Sequence, residues 1–181
     1  LQIADSIKVV CELHKSFVHI TGKEETLDQF YGWGQLLLAD FDDIDKNNAD
    51  AGKVLANLKD LHEYDDISYL DDEQKSILKR FFSNFQTDDS HLQRRFIELW
   101  SRLYDIYADF RERLRSQGLA YEGMLYSEVA NSPSIDFRFD KYIFIGFNVL
   151  QEVEKNLFLR LKNGGKAAFY WDFDKYYLHD N

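Results

Sequence analysis

Apolar residues recur at intervals of three and four through most of the chain up to residue 129, which is the spacing of amphipathic helices. The pattern predicts helices over residues 2–20, 50–61, 71–85, 90–117 and 121–129, and a helix that Thr26 begins and the aspartates of 40–45 end. The stripe over 90–117 is the longest, and Gly118 directly after it suits a helix stop. The first part of the chain is therefore predicted to be helical.

The periodicity changes near residue 141. Residues 142–145 are a continuous aromatic and β-branched run ending at Gly146, which is typical of a strand buried on both faces. A helix is predicted next, with Asn148 as its N-cap and Gln151 as the reciprocal capping partner. Residues 166–171 read as a second apolar strand. This order predicts a βαβ unit with parallel strands.

The predicted fold class is α/β and mainly helical, with a helical region over 1–140 and the βαβ unit over 141–181. The 181 residues are 45% hydrophobic and include 29 aromatic residues, which excludes intrinsic disorder as the main state. A single Cys excludes a disulfide scaffold. No apolar run approaches the ~20 residues of a membrane-spanning helix, so we expect no membrane partner.

The chain is acidic, with 32 Asp and Glu against 22 Lys and Arg and a net charge of −10. Phosphate neutralisation supplies most of the affinity of free nucleic-acid binders, so this balance excludes a stand-alone DNA clamp. The chain begins at Leu1 without a signal-peptide pattern and stops at Asn181 just after an apolar stretch. We therefore expect a monomeric fragment of a larger cytoplasmic protein.

Four aspartates, Asp40, Asp42, Asp43 and Asp45, follow the apolar stripe of the second predicted helix. Counted from Asp43, the segment lacks the sixth-position glycine and twelfth-position glutamate of an EF-hand. A solvated acidic helix end is favoured over a Mg²⁺ site. Substitutions of solvated aspartates should cost little stability, so Gly146→Val, at the end of the predicted buried strand, is expected to cost more than any substitution in this cluster. Because negative charge at a helix C-terminus opposes the macrodipole, the cluster also indicates a basic partner.

Three arginines, Arg95, Arg102 and Arg113, share one face of the predicted helix 90–117 and are the candidate DNA-contacting residues. The i,i+4 spacing of Glu98 to Arg102 and of Asp109 to Arg113 favours a salt-bridged, solvated face instead. The sequence holds neither a nucleophile-elbow motif nor a phosphate-binding loop, so no catalytic residue is predicted.

Residues 142–161, with the pattern Y-I-F-I-G-F-N-V-L-x-x-x-E-x-x-L-F-x-x-L, resemble the second motif of UvrD-type superfamily-one helicases. Residues 168–177 stand where that family has a later strand ending V-G-D-x-x-Q-S-I-Y. Active helicases carry Asp and Glu where this chain has Gly146 and Phe147. The resemblance thus implies a degenerate ATPase motif that also includes Asn148 and Glu154.

The Gly-Phe variant is similar to the inactivated helicase half of AddB/RexB-type subunits of bacterial double-strand-break repair nucleases, which also carry a PD-(D/E)XK nuclease. Residues 31–46 and 118–126 look like the version in Bacteroidetes proteins of this kind. The resemblance implies a RecA-like domain with a helicase 1B-like helical insertion. It also implies DNA and a motor helicase–nuclease subunit as partners, with ATP and Mg²⁺ only in the parent complex.

In that family the loop after the second strand senses nucleotide and touches single-stranded DNA. The resemblance therefore makes Asp172, Asp174, Tyr176 and Tyr177 a candidate DNA or nucleotide-sensing loop. Two other interpretations stay open. One is an acidic helical scaffold for protein interaction without DNA contact, and the other is a metal-dependent hydrolase that uses the aspartates of 40–45.

Overall fold

The computed structural model describes residues 1–56, 99–147 and 149–171. The helices in these ranges are α1 (Ser6–Thr21), α2 (Leu27–Lys46), α3 (Ala51–Ala56), α4 (Leu103–Ser116), α5 (Glu122–Asn131) and α6 (Glu152–Asn163). The strands are β1 (Gln2–Ile3), β2 (Leu119–Ala120), β3 (Tyr142–Ile145) and β4 (Ala167–Tyr170). A mainly helical α/β fold class is thereby confirmed. No helix within the described ranges combines the length and apolarity needed to cross a membrane.

Local capping sets the ends of the first two helices. Asp5 accepts a hydrogen bond from the Ile7 amide at 2.9 Å and begins α1, which ends at Gly22 with a φ of 67°. Thr26 and Gln29 form a capping box that begins α2. Since Asp5 begins α1, residues 2–3 fall outside the helix, and the prediction of a helix from residue 2 is wrong there.

The apolar faces of α1 to α5 enclose one core together with β2. Its most deeply buried side chains are Leu13, Phe30, Phe41, Ile106, Phe110, Leu114 and Met124. The Phe41 ring lies between Tyr107 and Phe110, at centroid distances of 5.1 and 6.4 Å. β1 pairs in parallel with β2 at the edge of this core, a small sheet that the helical periodicity did not predict.

The longest predicted helix is wrong in its extent. The helix predicted over 90–117 is interrupted before α4, because residues 101–102 form a turn in which the Arg102 amide donates to the Leu99 carbonyl at 3.0 Å. The predicted end of the second helix at the acidic cluster is confirmed, because α2 ends at Lys46, the residue after Asp45. The predicted helix 71–85 lies outside the described residues.

The predicted βαβ unit is confirmed as a parallel pair joined through a helix. Tyr142 pairs with Ala167 and Ile145 with Tyr170. α6 covers one sheet face. The centroid of the Phe158 ring lies there 4.0 Å from the ring centroid of Phe144 and 5.6 Å from that of Phe169. This arrangement places one apolar helix face against one side of a two-stranded sheet.

Two details of that unit differ from the prediction. Ile143 and Ile145 are 61% and 71% exposed, because α6 covers a single face of the sheet and no described element covers the other. The strand is therefore not buried on both faces in the described part of the chain. The N-cap of α6 is Gln151 rather than Asn148, and its amide donates to Glu154 Oε2 at 2.8 Å in a capping box. Asn148 itself lies outside the described residues.

Candidate functional site at the carboxyl end of the parallel strands

β3 ends in a backbone conformation that requires glycine. Gly146 has a φ of 77°, in the left-handed region, and its amide donates to the Tyr170 carbonyl at 3.1 Å. No atom lies within 4 Å of the position that a Cβ would take there. The turn itself therefore demands the glycine, and close packing does not contribute.

Phe147 turns inward at the position where the resembling helicases carry a glutamate. Its ring lies 5.3 Å from Phe158 and 6.2 Å from Phe144, both in edge-on geometry. Glu154, the carboxylate in the following helix, accepts the Gln151 amide and so caps α6. Gly146 and Phe147 supply no oxygen ligand, and these residues do not fit a Mg²⁺–nucleotide centre. The other predicted loop residues, Asp172, Asp174, Tyr176 and Tyr177, lie outside the described residues.

The aspartate cluster is not a uniformly solvated helix end, and this prediction is wrong for Asp45. Its side chain is 3% exposed and accepts hydrogen bonds from the Tyr107 hydroxyl at 2.7 Å, from the Tyr121 hydroxyl and from Arg111. The cause is helical phase, because Asp45 lies four residues after Phe41 and so faces the same core. The negative charge of Asp45 is thus compensated by Arg111 of the same chain.

The other three aspartates divide by their contacts. Asp42 accepts the Gly123 amide at 2.6 Å and pairs with Lys46 at 2.7 Å. Asp40 and Asp43 are exposed. The pKa of Asp40 is raised because neighbouring atoms remove part of the water around its carboxylate and because the negative charge of Asp43 lies nearby. Within the described ranges, no group of three or more His, Cys, Asp or Glu side chains is placed to hold a metal ion.

The two tyrosines around Asp45 are held in their protonated form. Burial raises the pKa of Tyr107 and of Tyr121, and the charge of Asp45 adds to the effect at both. Each phenol therefore remains a donor to the buried carboxylate across the neutral range. The resulting network joins α2, α4 and the start of α5. The sequence pattern did not predict this network, because its only signal there is one aspartate in phase with an apolar stripe.

The arginines of α4 are engaged by carboxylates. The predicted pair is confirmed, because Arg113 Nε donates to Asp109 Oδ2 at 2.6 Å. Arg115 pairs with Glu128 and with Glu112. Arg102 is exposed in the turn before α4, while Arg95 and Glu98 lie outside the described residues. A continuous strip of available arginines is therefore not present in the described part of this helix.

Comparisons with known proteins identify no family for this chain. No protein-family model, no curated protein and no solved structure matches it.

Proposed function

We propose that the chain is a non-catalytic, helicase-like segment of a DNA double-strand-break repair helicase–nuclease, where it shapes a DNA channel and docks a motor subunit. The observation that supports this most directly is the parallel β3–α6–β4 unit whose first strand ends in Gly146 and Phe147. A RecA-like ATPase needs an Asp for Mg²⁺ and a Glu for the attacking water at that place. The proposal is thus a cytoplasmic, RecA-like segment without ATPase chemistry of its own, in which ATP and Mg²⁺ belong to the parent complex.

The test combines two measurements on the purified chain. Phosphate release is followed with ATP, Mg²⁺ and single-stranded DNA, and DNA binding is followed by fluorescence anisotropy at low and moderate salt. We expect no turnover and weak, salt-dependent binding, because a net charge of −10 repels phosphate at long range. The matched variant Gly146→Asp/Phe147→Glu restores the acidic pair and is expected to stay inactive, since the sequence has no phosphate loop.

Either of two results contradicts the proposal. One is DNA-stimulated ATP hydrolysis that a substitution within this chain abolishes. The other is the absence of DNA binding even at low salt, both by this chain and by a longer protein that contains it.

The outer face of the β3–β4 sheet favours a second candidate function, a protein-interaction scaffold. Ile143 and Ile145 on β3 and Tyr170 on β4 expose apolar surface on this face. Parallel sheets are ordinarily covered on both faces, and an isolated two-stranded sheet is marginally stable. A protein partner that adds a strand to the sheet edge and presents aliphatic side chains would complete it.

One substitution separates the two candidates. If the chain is a scaffold, Ile143→Glu should abolish binding of the protein partner; if it is a segment of a DNA channel, Ile143→Glu should leave DNA binding unchanged. Ile7→Glu, at an exposed position on α1, should change neither. The scaffold is selected if the partner co-purifies with the wild-type chain, is lost with Ile143→Glu, and DNA binding is absent throughout.

A further inference from the structure

Most cationic side chains in the described helical part are paired with carboxylates of the same chain. Carboxylate partners lie within ion-pair distance of Lys8, Lys15, Lys46, Lys53, Arg111, Arg113 and Arg115. Part of the negative charge of the helical part is thus paired with cations of the same part. A phosphate backbone would find few available positive charges there.

The segment 132–171 has the opposite character. It contains six Lys and Arg against four Asp and Glu, a net charge of +2 in a chain of −10. Lys155 pairs with Glu152 at 3.2 Å. Among the described residues, no carboxylate lies within ion-pair distance of the other five cations, which are Arg138, Lys141, Arg160, Lys162 and Lys166. The unneutralised positive charge of the described chain is therefore concentrated around β3 and α6.

An exposed aromatic ring lies within this cationic segment. Phe139 is 65% exposed, and the centroid of its ring is 5.7 Å from that of Tyr142, the first residue of β3. The Phe139 amide also lies 3.4 Å from the Tyr142 hydroxyl. Arg138 directly precedes this ring in the sequence and Lys141 follows it by two residues, with Asp140 between them; all three are exposed. An open aromatic face beside unpaired cations is the combination that single-stranded nucleic acids require.

Contacts with α6 and with Lys166 hold the loop before β3, which carries Phe139, in place. Tyr142 also contacts the Phe137 ring edge-on at 5.8 Å, and the Arg160 guanidinium lies 5.5 Å from the centre of that ring. Lys166 Nζ donates to the Phe137 carbonyl at 3.1 Å, and Arg160 donates to the Ser132 carbonyl at 2.8 Å. These contacts tie the loop before β3 to α6 and to the start of β4. A fixed ring loses little side-chain entropy when a base stacks on it.

We propose that Phe139, flanked by Arg138 and Lys141 and supported by Tyr142, is a stacking site for single-stranded nucleic acid. The inference rests on the proposed DNA-contacting function and gives that function a different location. The site lies at the amino end of the parallel strands, whereas Gly146 and Trp171 follow their carboxyl ends. Arg138 and Lys141 have no carboxylate within ion-pair distance among the described residues, in contrast to Arg111, Arg113 and Arg115 of α4.

The test uses the full chain and a fluorescein-labelled oligothymidylate of about 20 nucleotides, with anisotropy measured at several salt concentrations. Phe139→Ala should weaken binding about 5- to 100-fold, the range for loss of one base–aromatic stack, while Phe139→Trp should retain it. Arg138→Ala/Lys141→Ala should reduce the slope of log K against log salt by about 1.4. Tyr104→Ala and Lys53→Ala, an exposed aromatic and an exposed lysine of the helical part, should leave binding unchanged.

Each outcome decides a separate point. If the wild-type chain binds the oligonucleotide and Phe139→Ala binds equally well, the stacking site is wrong while the proposed function stands. If the wild-type chain fails to bind at low salt, the stacking site is overturned, and the proposed function fails as well only if a longer protein that contains the chain also does not bind. If Tyr104→Ala weakens binding as much as Phe139→Ala, the effect is unspecific and the site is overturned. The site is also overturned if Phe139→Ala disrupts binding of a protein but not of the oligonucleotide. Far-UV circular dichroism confirms that each variant is folded.

Discussion

Asp45→Asn should lower the free energy of unfolding far more than Asp43→Asn, although the two aspartates are two residues apart on α2. The Asp45 carboxylate is buried and accepts hydrogen bonds from two phenols and one guanidinium, whereas Asp43 is exposed. Asparagine preserves the volume of aspartate but removes the negative charge. Its amide nitrogen would also place a donor against donors.

The magnitude follows from the contacts. Hydrogen bonds to charged groups contribute about 1.5–3 kcal/mol each, and removing one partner of a buried ion pair costs about 3–5 kcal/mol. Arg111 also reaches Glu128 at 3.5 Å, so its guanidinium keeps one carboxylate neighbour in the Asp45→Asn variant. We therefore expect a loss of about 3 kcal/mol, at the lower end of that range. For the exposed Asp43, the expected change is within about 0.5 kcal/mol.

Urea denaturation followed by far-UV circular dichroism measures both variants. With a slope of about 1–3 kcal/mol per molar urea, Asp45→Asn should lower the unfolding midpoint by about 1–3 M. A double-mutant cycle with Tyr121→Phe should show a coupling free energy above about 0.5 kcal/mol, because the two side chains share a hydrogen bond. Equal midpoints for Asp45→Asn and Asp43→Asn, or additive effects in the cycle, would refute the network.

Three further substitutions test other parts of the fold. Gly123→Ala should lower the free energy of unfolding by about 1–3 kcal/mol in denaturant melts, because the added Cβ would lie 2.5 Å from the Asp42 carbonyl oxygen. If the variant is as stable as the wild type, α2 and α5 can move apart without cost. Burial raises the pKa of Glu12, but hydrogen bonds from Lys15 and a second lysine outweigh it and hold the pKa at about 2. The ionised Glu12 therefore stabilises the fold fully above pH 4.5, and this contribution is lost as the pH falls towards 2. In a plot of melting temperature against pH, Glu12→Gln should accordingly flatten the decline on the acid side, and an unchanged decline would contradict this. Gly146→Val should cost about 1–3 kcal/mol because of its φ of 77°, and an unchanged midpoint would show that the turn tolerates a side chain.

The sequence predicts those parts of the fold that depend on local physics. Helix periodicity, the capping residue Thr26 and the stop at Gly118 each involve neighbours within a turn or two, and the structure has all three. The parallel pairing of β3 with β4 also follows from a local pattern, since a strand, a helix and a strand in succession admit few arrangements.

Contacts between distant residues were not predictable from the same pattern. Asp45 meets Tyr107 and Tyr121, 62 and 76 residues further along the chain, and no local rule places those phenols there. The sequence alone therefore ranks Gly146 as more sensitive to substitution than any aspartate of the cluster, whereas the burial of Asp45 makes its expected loss of stability at least comparable with that of Gly146. The Phe139 site was not predicted for the same reason, because the loop that carries it is held by Arg160 of α6 and by Lys166, the residue before β4.

The net charge of the chain and the charge that a ligand meets are different quantities, and salt concentration decides which of them dominates. At 0.01 M salt the Debye length is about 30 Å, so a phosphate approaching Phe139 interacts with the whole charge of −10. At 0.1 M it is about 10 Å, and the phosphate interacts mainly with the charges of the segment 132–171, whose net charge is +2. Counterion release favours binding at low salt, while the long-range repulsion opposes it there. Binding of single-stranded DNA should therefore depend less steeply on salt below about 0.05 M than above it, whereas a uniformly basic protein would give a single straight line.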